Sequence, residues 1–290
     1  MSISGLTLIG ESINDSVPST HACFEENNLD AIVDLARQQA AGGAAYIDVN
    51  VGPRSPGFMV TVLRKIQEHI PFPLSIDTPD SAIAAAALEA YDAGRAGNRL
   101  PILNSISEAR LEMFDIYPEH PFLPVLLVTE GMNDRGEMML NTTADQILAT
   151  AKSMVHTARK RMPHMTNDRV ILDPGIMPIG SDTKGDFRRL MGAMGLIHQD
   201  KDLAGVNMSV GLSNFTQMLP AKRGDGSPVK GPLESAFLTM AMPVGLNTII
   251  GSTKRRYSLL TDEDPALKCL KDVLKLEGVE AVMRVMLYLS

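Results

Sequence analysis

The sequence predicts an α/β fold: a single-domain TIM-type (β/α)₈ barrel covering residues 1–290. Two observations carry this expectation. Eight short apolar runs recur along the chain, beginning about 34 residues apart, and longer stretches of helical period lie between them, as in a βα repeat. The first run is followed by Glu11-Ser12-Ile13-Asn14-Asp15, whereas an open doubly wound sheet usually places a Gly-rich phosphate turn there. Eight right-handed βα units in one chain close naturally into a barrel.

The strands are expected, in order, at Leu6–Ile13, Tyr46–Val51, Leu74–Thr78, Ile102–Ile106, Pro124–Thr129, Val170–Ile176, Gly205–Val210 and Thr248–Ser252. Helical periodicity marks Leu29–Ala41, Ser81–Tyr91, Thr143–Arg161 and Leu233–Met242. A last helical segment runs from Pro265 to Leu289, with a break expected at Gly278. No Pro/Gly/Ser-rich linker divides the chain. The longest irregular stretches are Gly180–Gly185, after the sixth strand, and Pro220–Pro232, after the seventh. Both would lie at the C-terminal mouth, either as lids or as plain surface loops.

Composition narrows the function. Hydrophobic residues make up 44% and charged residues 21% of the chain, enough apolar material for a large globular core. The net charge is −7 and the one dense basic run is Lys254-Arg255-Arg256, so no nucleic-acid surface is expected. Cys23 and Cys269 match no disulfide or metal spacing, which fits a reducing cytoplasm. No stretch of about 18 apolar residues occurs, and MSISGLTLIG lacks a basic region before an apolar run. Neither a membrane span nor a signal peptide is expected. His21, His69, His120, His156, His164 and His198 form no HxH, HxxxH or HExxH pattern, so no protein-bound catalytic metal is expected. No GxSxG nucleophile elbow appears either.

The polar residues fall in a pattern. The first strand ends in Glu11 and Asn14, and the second carries Asp48 and Asn50, two apart and so on one side. The third ends in Asp77, the fourth in Asn104 and the sixth in Asp173, while the seventh carries Asn207 and leads into Ser213-Asn214. Any one of these could cap the helix that follows. Six strands delivering Asp or Asn to one rim is less easily explained that way, because unpaired polar groups at buried strand ends are costly. The result is a hydrogen-bonding cup rich in Asp and Asn and poor in Lys, Arg and His. It suits a flat, nitrogen-rich ligand better than a phosphorylated sugar, which calls for backbone amides or a cationic clamp. A carboxylate wants parallel N–H donors, and a 2-amino-4-oxo pterin offers them as its 2-amino group and N3–H.

Taken together, Ile9-Gly10-Glu11-Ser12-Ile13-Asn14, Ile47-Asp48-Val49-Asn50-Val51-Gly52, Ser75-Ile76-Asp77-Thr78, Leu103-Asn104-Ser105-Ile106-Ser107, Leu172-Asp173-Pro174-Gly175 and Gly211-Leu212-Ser213-Asn214-Phe215-Thr216-Gln217 form an ordered set. The set resembles the pterin-binding family, and within it the methyltetrahydrofolate:corrinoid-protein methyltransferase branch, over almost the whole chain. The resemblance implies a dihydropteroate-synthase-like barrel, tetrahydrofolate or 5-methyltetrahydrofolate at its mouth, and a homodimer. It implies that Asp77, Asn104 and Asp173 hold the pterin, with Asp173 on the 2-amino/N3 edge. Asn214 matches the family's mobile asparagine, which reaches toward N5. Asn207, Asp48, Asn50, Glu11 and Asn14 are supporting candidates. Cobalamin would be carried by a separate corrinoid protein, because this chain has no second domain to hold it.

One departure is visible. The branch often reads Gly-Glu-Arg-Ile-Asn where this chain has Ser12 in place of the arginine, which removes any contact that the arginine supplies. It hints at a subgroup serving demethylation of a methylated amine or ether. Dihydropteroate synthase is the nearest alternative, but that family presents a Lys where this chain reads Leu212-Ser213-Asn214. A folate-binding subunit without turnover would keep the same residues. Lys254-Arg255-Arg256 is open to two readings, an anion site for phosphate or a glutamate tail, or a solvated basic face.

Overall fold

A computed structural model describes residues 3–133 and 135–290. Its main sheet is a closed parallel barrel of eight strands. These are β1 (Thr7–Asn14), β2 (Tyr46–Asn50), β3 (Leu74–Asp77), β4 (Ile102–Ile106), β5 (Leu123–Leu127), β8 (Ile171–Asp173), β9 (Asn207–Gly211) and β10 (Leu246–Gly251). The order around the barrel is β1-β10-β9-β8-β5-β4-β3-β2. A separate antiparallel hairpin, β6 (Glu130–Met132) and β7 (Met138–Leu140), interrupts the repeat after β5.

All eight expected strands are present, with ends moved by a few residues. The connections are less uniform. Between β1 and β2 lie α1 (Pro18–Glu25) and α2 (Leu29–Ala41), followed by α3 (Pro56–His69) and α4 (Ser81–Ala90) after β2 and β3. The β4–β5 link is a 3₁₀ stretch, Glu108–Ile116, and not an α-helix. The remaining helices are α5 (Ala144–Arg161), α6 (Asp186–Gln199), the one-turn α7 (Leu212–Phe215), α8 (Lys230–Ala241), α9 (Pro265–Val273) and α10 (Gly278–Leu289). The break in the last segment falls just before Gly278, which opens α10.

Local chemistry sets these boundaries. The Asp80 carboxylate accepts from the N–H groups of Ala82 and Ile83 at 2.8 and 2.9 Å, which starts the Ala-rich α4. Thr143 and Gln146 form a reciprocal capping box at α5. Ser55-Pro56 and Asp264-Pro265 pair a side-chain cap with a proline in the first turn.

The core has two parts. A large cluster fills the space between helices and sheet. A smaller one joins Ile9, Tyr46, Ile102, Val125 and Ile171, one residue from each of five strands, and closes the barrel interior. Because strand side chains alternate, the residue two further along each strand faces the same side. Those residues are Glu11, Asp48, Asn104, Leu127 and Asp173. An apolar layer therefore forms the floor, and the polar layer stands directly above it.

Candidate functional site

That polar layer lines a cavity of about 630 Å³ at the C-terminal end of the barrel. Glu11, Asn14, Asp48, Asp77, Asn104, Asp173 and Asn214 all contribute to it. Asn50 does not line this cavity, but it donates to Asp77 Oδ2 at 2.9 Å and fixes that carboxyl from the side. Asn14 is bound locally: its Oδ1 accepts from the Ser16 amide at 2.9 Å and the Ser16 hydroxyl at 2.7 Å.

Asn207 is the exception among the sequence candidates. It opens β9 and pairs with Ile171, the first residue of β8, so it sits at the opposite end of the barrel. Its amide donates to the carbonyls of Asp168 and Val170 at 2.8 and 3.2 Å, and its Oδ1 accepts from Asn247. The strand starts two residues later than the apolar run at Gly205 implies, which moves Asn207 to the floor.

Four carboxyls in one small volume repel one another, and burial raises their pKa values. Asp48 lies far above the usual carboxylate range, first through burial and then through its neighbour Asp77. Burial also raises Asp77, partly offset by hydrogen bonds from Asn50 and Asp48. The two sit on adjacent strands, and the nearness of a second carboxyl adds to burial in favouring the protonated form of Asp48. Ser75 Oγ supports the pair from below, donating to Asp48 Oδ1 at 2.6 Å.

Asp173 is pushed up to about 6 by burial, against a bond from the Gly175 amide. That amide donates to Oδ1 at 2.8 Å, while Ser209 Oγ stands 3.5 Å from Oδ2. Both oxygens retain free lone pairs on a cavity-lining group. Gly175 has a positive φ of 72°, and a Cβ there would collide with the Thr129 methyl, so the turn that delivers this amide requires glycine.

The fourth carboxyl, Glu11, is raised by burial despite accepting from Ser213 Oγ. Ser213 belongs to α7, whose next residue, Asn214, is exposed at the cavity. Behind α7, Arg255 pairs with the fully buried Glu234, which also accepts from Thr216 Oγ1.

The basic run divides. Arg255 is half-buried and committed to Glu234, Lys254 lines the cavity mouth, and Arg256 is exposed. Ser12 lines the cavity, with its amide held by Gln39 Oε1 at 2.9 Å and its carbonyl by Thr20 Oγ1 at 2.9 Å. Neither long loop reaches the cavity. In Gly180–Gly185, Asp182 caps α6, accepting from the amides of Asp186 and Phe187. In Pro220–Pro232, Arg223 donates to the Tyr288 carbonyl of α10 at 2.7 Å. Among the described residues, no group of three or more His, Cys, Asp or Glu is arranged to hold a metal.

Sequence reading missed Ser75, Ser209 and the Glu234–Arg255 pair. The two serines were detectable in principle, since each stands two residues before a cavity-lining position on its own strand. Glu234 lies inside a helix and carries no such signal.

A parallel barrel with an Asp/Asn-lined cup at its C-terminal end defines a class of ligand-binding enzyme barrels. The family model of pterin binding enzymes matches residues 13–251, and the chain belongs to that family. A methylcorrinoid:tetrahydrofolate methyltransferase from Eubacterium limosum is 26% identical over 251 residues, covering 84% of each chain. Among solved structures, the 7,8-dihydropteroate synthase of Vibrio fischeri ES114 superposes with a TM-score of 0.57 at 18% identity, over 84% of this chain and 86% of that one. The Xanthomonas albilineans dihydropteroate synthase gives 0.58 at 17% identity, over 96% and 92%. At these identities the structural likeness speaks for the fold.

Proposed function

We propose that this chain is a methyltransferase that moves a methyl group between N5 of tetrahydrofolate and the cobalt of a corrinoid carried by a separate protein. The observation that carries the reading is the meeting of Asp77, Asn104 and Asp173 with Asn214 around one open cavity. The volume of about 630 Å³ suits a pterin. The Asp173 carboxylate takes the 2-amino and N3 hydrogens in parallel, while Asn104, both donor and acceptor, reads the other ring.

In the direction toward folate, the N5 lone pair attacks the methyl carbon. The carbon–cobalt bond breaks with its electron pair left on the metal, and N5 gives up its proton to water. In the reverse direction the reduced cobalt attacks the methyl, and N5 must take a proton or a strong hydrogen bond as it leaves. Asn214 is uncharged and supplies an oriented amide, directly or through a water, whose bond strengthens as charge changes at N5. Positioning of the two large reactants contributes the rest.

The corrinoid protein must approach the mouth closely. Exposed Met132, Met139 and Leu140 on the β6–β7 hairpin, with Met177 and Met218, are side chains suited to meet it. The exposed stripe of Val279, Met283, Met286 and Leu287 on α10 supports a homodimer. The alternative enzyme, dihydropteroate synthase, is disfavoured because the turn after β9 offers Asn214 and no lysine.

The test is methyl transfer between methylcobalamin and tetrahydrofolate, followed by the cobalt absorbance spectrum. Turnover by the wild type with a loss of about 100-fold in Asn214→Ala is expected. Folate binding without turnover in either direction would leave a binding subunit and sink the reading.

A further inference from the structure

The turn that carries Asn214 is held from both sides. Ser213, just before it, donates to Glu11 and stands 3.5 Å from Arg255 Nη1. Thr216, two residues after it, is fully buried and donates to Glu234. Arg255 and Glu234 are themselves an ion pair, so one polar chain runs Glu11–Ser213–Arg255–Glu234–Thr216 beneath the turn. A four-residue helix has little hydrogen bonding of its own to fix it.

The location of the pair is costly. Glu234 has no exposed surface, and its Oε2 makes no hydrogen bond among the described residues. Buried ion pairs of this sort are often no more stabilising than apolar residues of the same shape. Here the pair reaches the two hydroxyls that flank Asn214, Glu234 accepting from Thr216 and Arg255 standing 3.5 Å from Ser213 Oγ.

We infer that the Glu234–Arg255 pair is a positioning device for the Ser213–Thr216 turn, setting where the Asn214 amide stands over the cavity. The inference rests on the methyltransferase reading for its consequence, though not for its geometry. Glu234 and Arg255 are positioning residues, since neither lines the cavity beside the candidate ligand groups.

Two measurements on the full chain separate the possibilities. The first is amide hydrogen exchange of a peptide spanning 212–217, with an α10 peptide as internal control, in the wild type, Glu234→Gln and the milder Thr216→Val. Exchange in 212–217 should accelerate by about tenfold in both variants while α10 stays unchanged. The second is kcat for methyl transfer in Glu234→Gln, alone and combined with Asn214→Ala. A fall of about tenfold alone, with folate Kd within about twofold of wild type, should shrink to less than about twofold in the Asn214→Ala background.

Unchanged exchange in the turn, or an equal kcat penalty in both backgrounds, would overturn the inference. Accelerated exchange with Asn214→Ala fully active would uphold the positioning role and remove Asn214 from the chemistry. Should Glu234→Gln fail to fold, Thr216→Val carries both measurements.

Discussion

The Asn214 side chain lies back over Gly211, such that a Cβ on that glycine would stand 3.0 Å from Asn214 Nδ2. Gly211 ends β9 with φ at −73°, a value that alanine adopts without strain. The glycine is therefore needed for space and not for backbone freedom.

Gly211→Ala should fold normally, with stability within about 0.5 kcal/mol of wild type, because the exposed Asn214 amide can swing aside. The displaced amide should lower kcat for methyl transfer by about tenfold and leave folate binding nearly intact. Thermal unfolding and steady-state kinetics on one preparation check both halves. A variant with wild-type kcat would show that the amide's resting position does not matter.

Asp173 links function to stability through its charge. Burial holds its folded pKa at about 6, above the ordinary aspartate value of 3.8. A carboxyl raised in this way is harmless to stability below the unfolded value, and its penalty grows as pH rises through the folded value. At neutral pH the ionised group costs the fold on the order of 3 kcal/mol. Asp173→Asn should therefore be more stable than wild type at pH 7.5 by about 1–3 kcal/mol and nearly equal to it at pH 4. It should also bind tetrahydrofolate at least about tenfold more weakly, since a charge-assisted pair is lost. Wild-type folate binding should weaken as pH drops below about 6. Urea unfolding at the two pH values and a pH series of folate Kd are the measurements.

How much of this was legible in the sequence follows from what each feature depends on. Barrel strands are apolar runs flanked by polar turns, so Tyr46–Asn50 or Ile102–Ile106 could be read from composition alone. The cup was legible for the same reason: in Asp48, Asp77, Asn104 and Asp173 the polar residue interrupts or ends such a run. Asn207 also stands in an apolar run, yet the run alone does not say where pairing begins, and a shift of two residues sent it to the floor. The β6–β7 hairpin has only three residues per strand, too short for any period to register. The Glu234–Arg255 pair joins residues 21 apart through tertiary packing, which no local pattern encodes.

The upward shift of Asp48 beside Asp77 makes a prediction about isosteres. Burial and the neighbouring Asp77 both favour the neutral acid at Asp48, the more strongly shifted of the two. Asp48→Asn should keep the bond from Ser75 and change stability at pH 7 by less than about 1 kcal/mol. Asp48→Leu strips partners from both Ser75 and Asp77 and should cost about 2–4 kcal/mol. Denaturant titration of the two variants side by side decides it. A large loss for the asparagine would mean that Asp48 is ionised in the folded protein.

The rim offers a test that separates docking from chemistry. Met139 and Leu140 project from the hairpin, and Met218 is 88% exposed on the turn after α7. None of the three lines the cavity, so none should touch folate. If a corrinoid protein sits on this rim, Met218→Glu and the double variant Met139→Glu/Leu140→Glu should lower kcat/KM with the intact corrinoid protein by about tenfold or more, since exposed apolar contacts at an interface dominate its affinity. With free methylcobalamin, which needs no protein surface, the same variants should stay within about twofold of wild type. Equal losses with both methyl donors would place the defect in the barrel itself. No loss with either would move the docking surface elsewhere on the mouth.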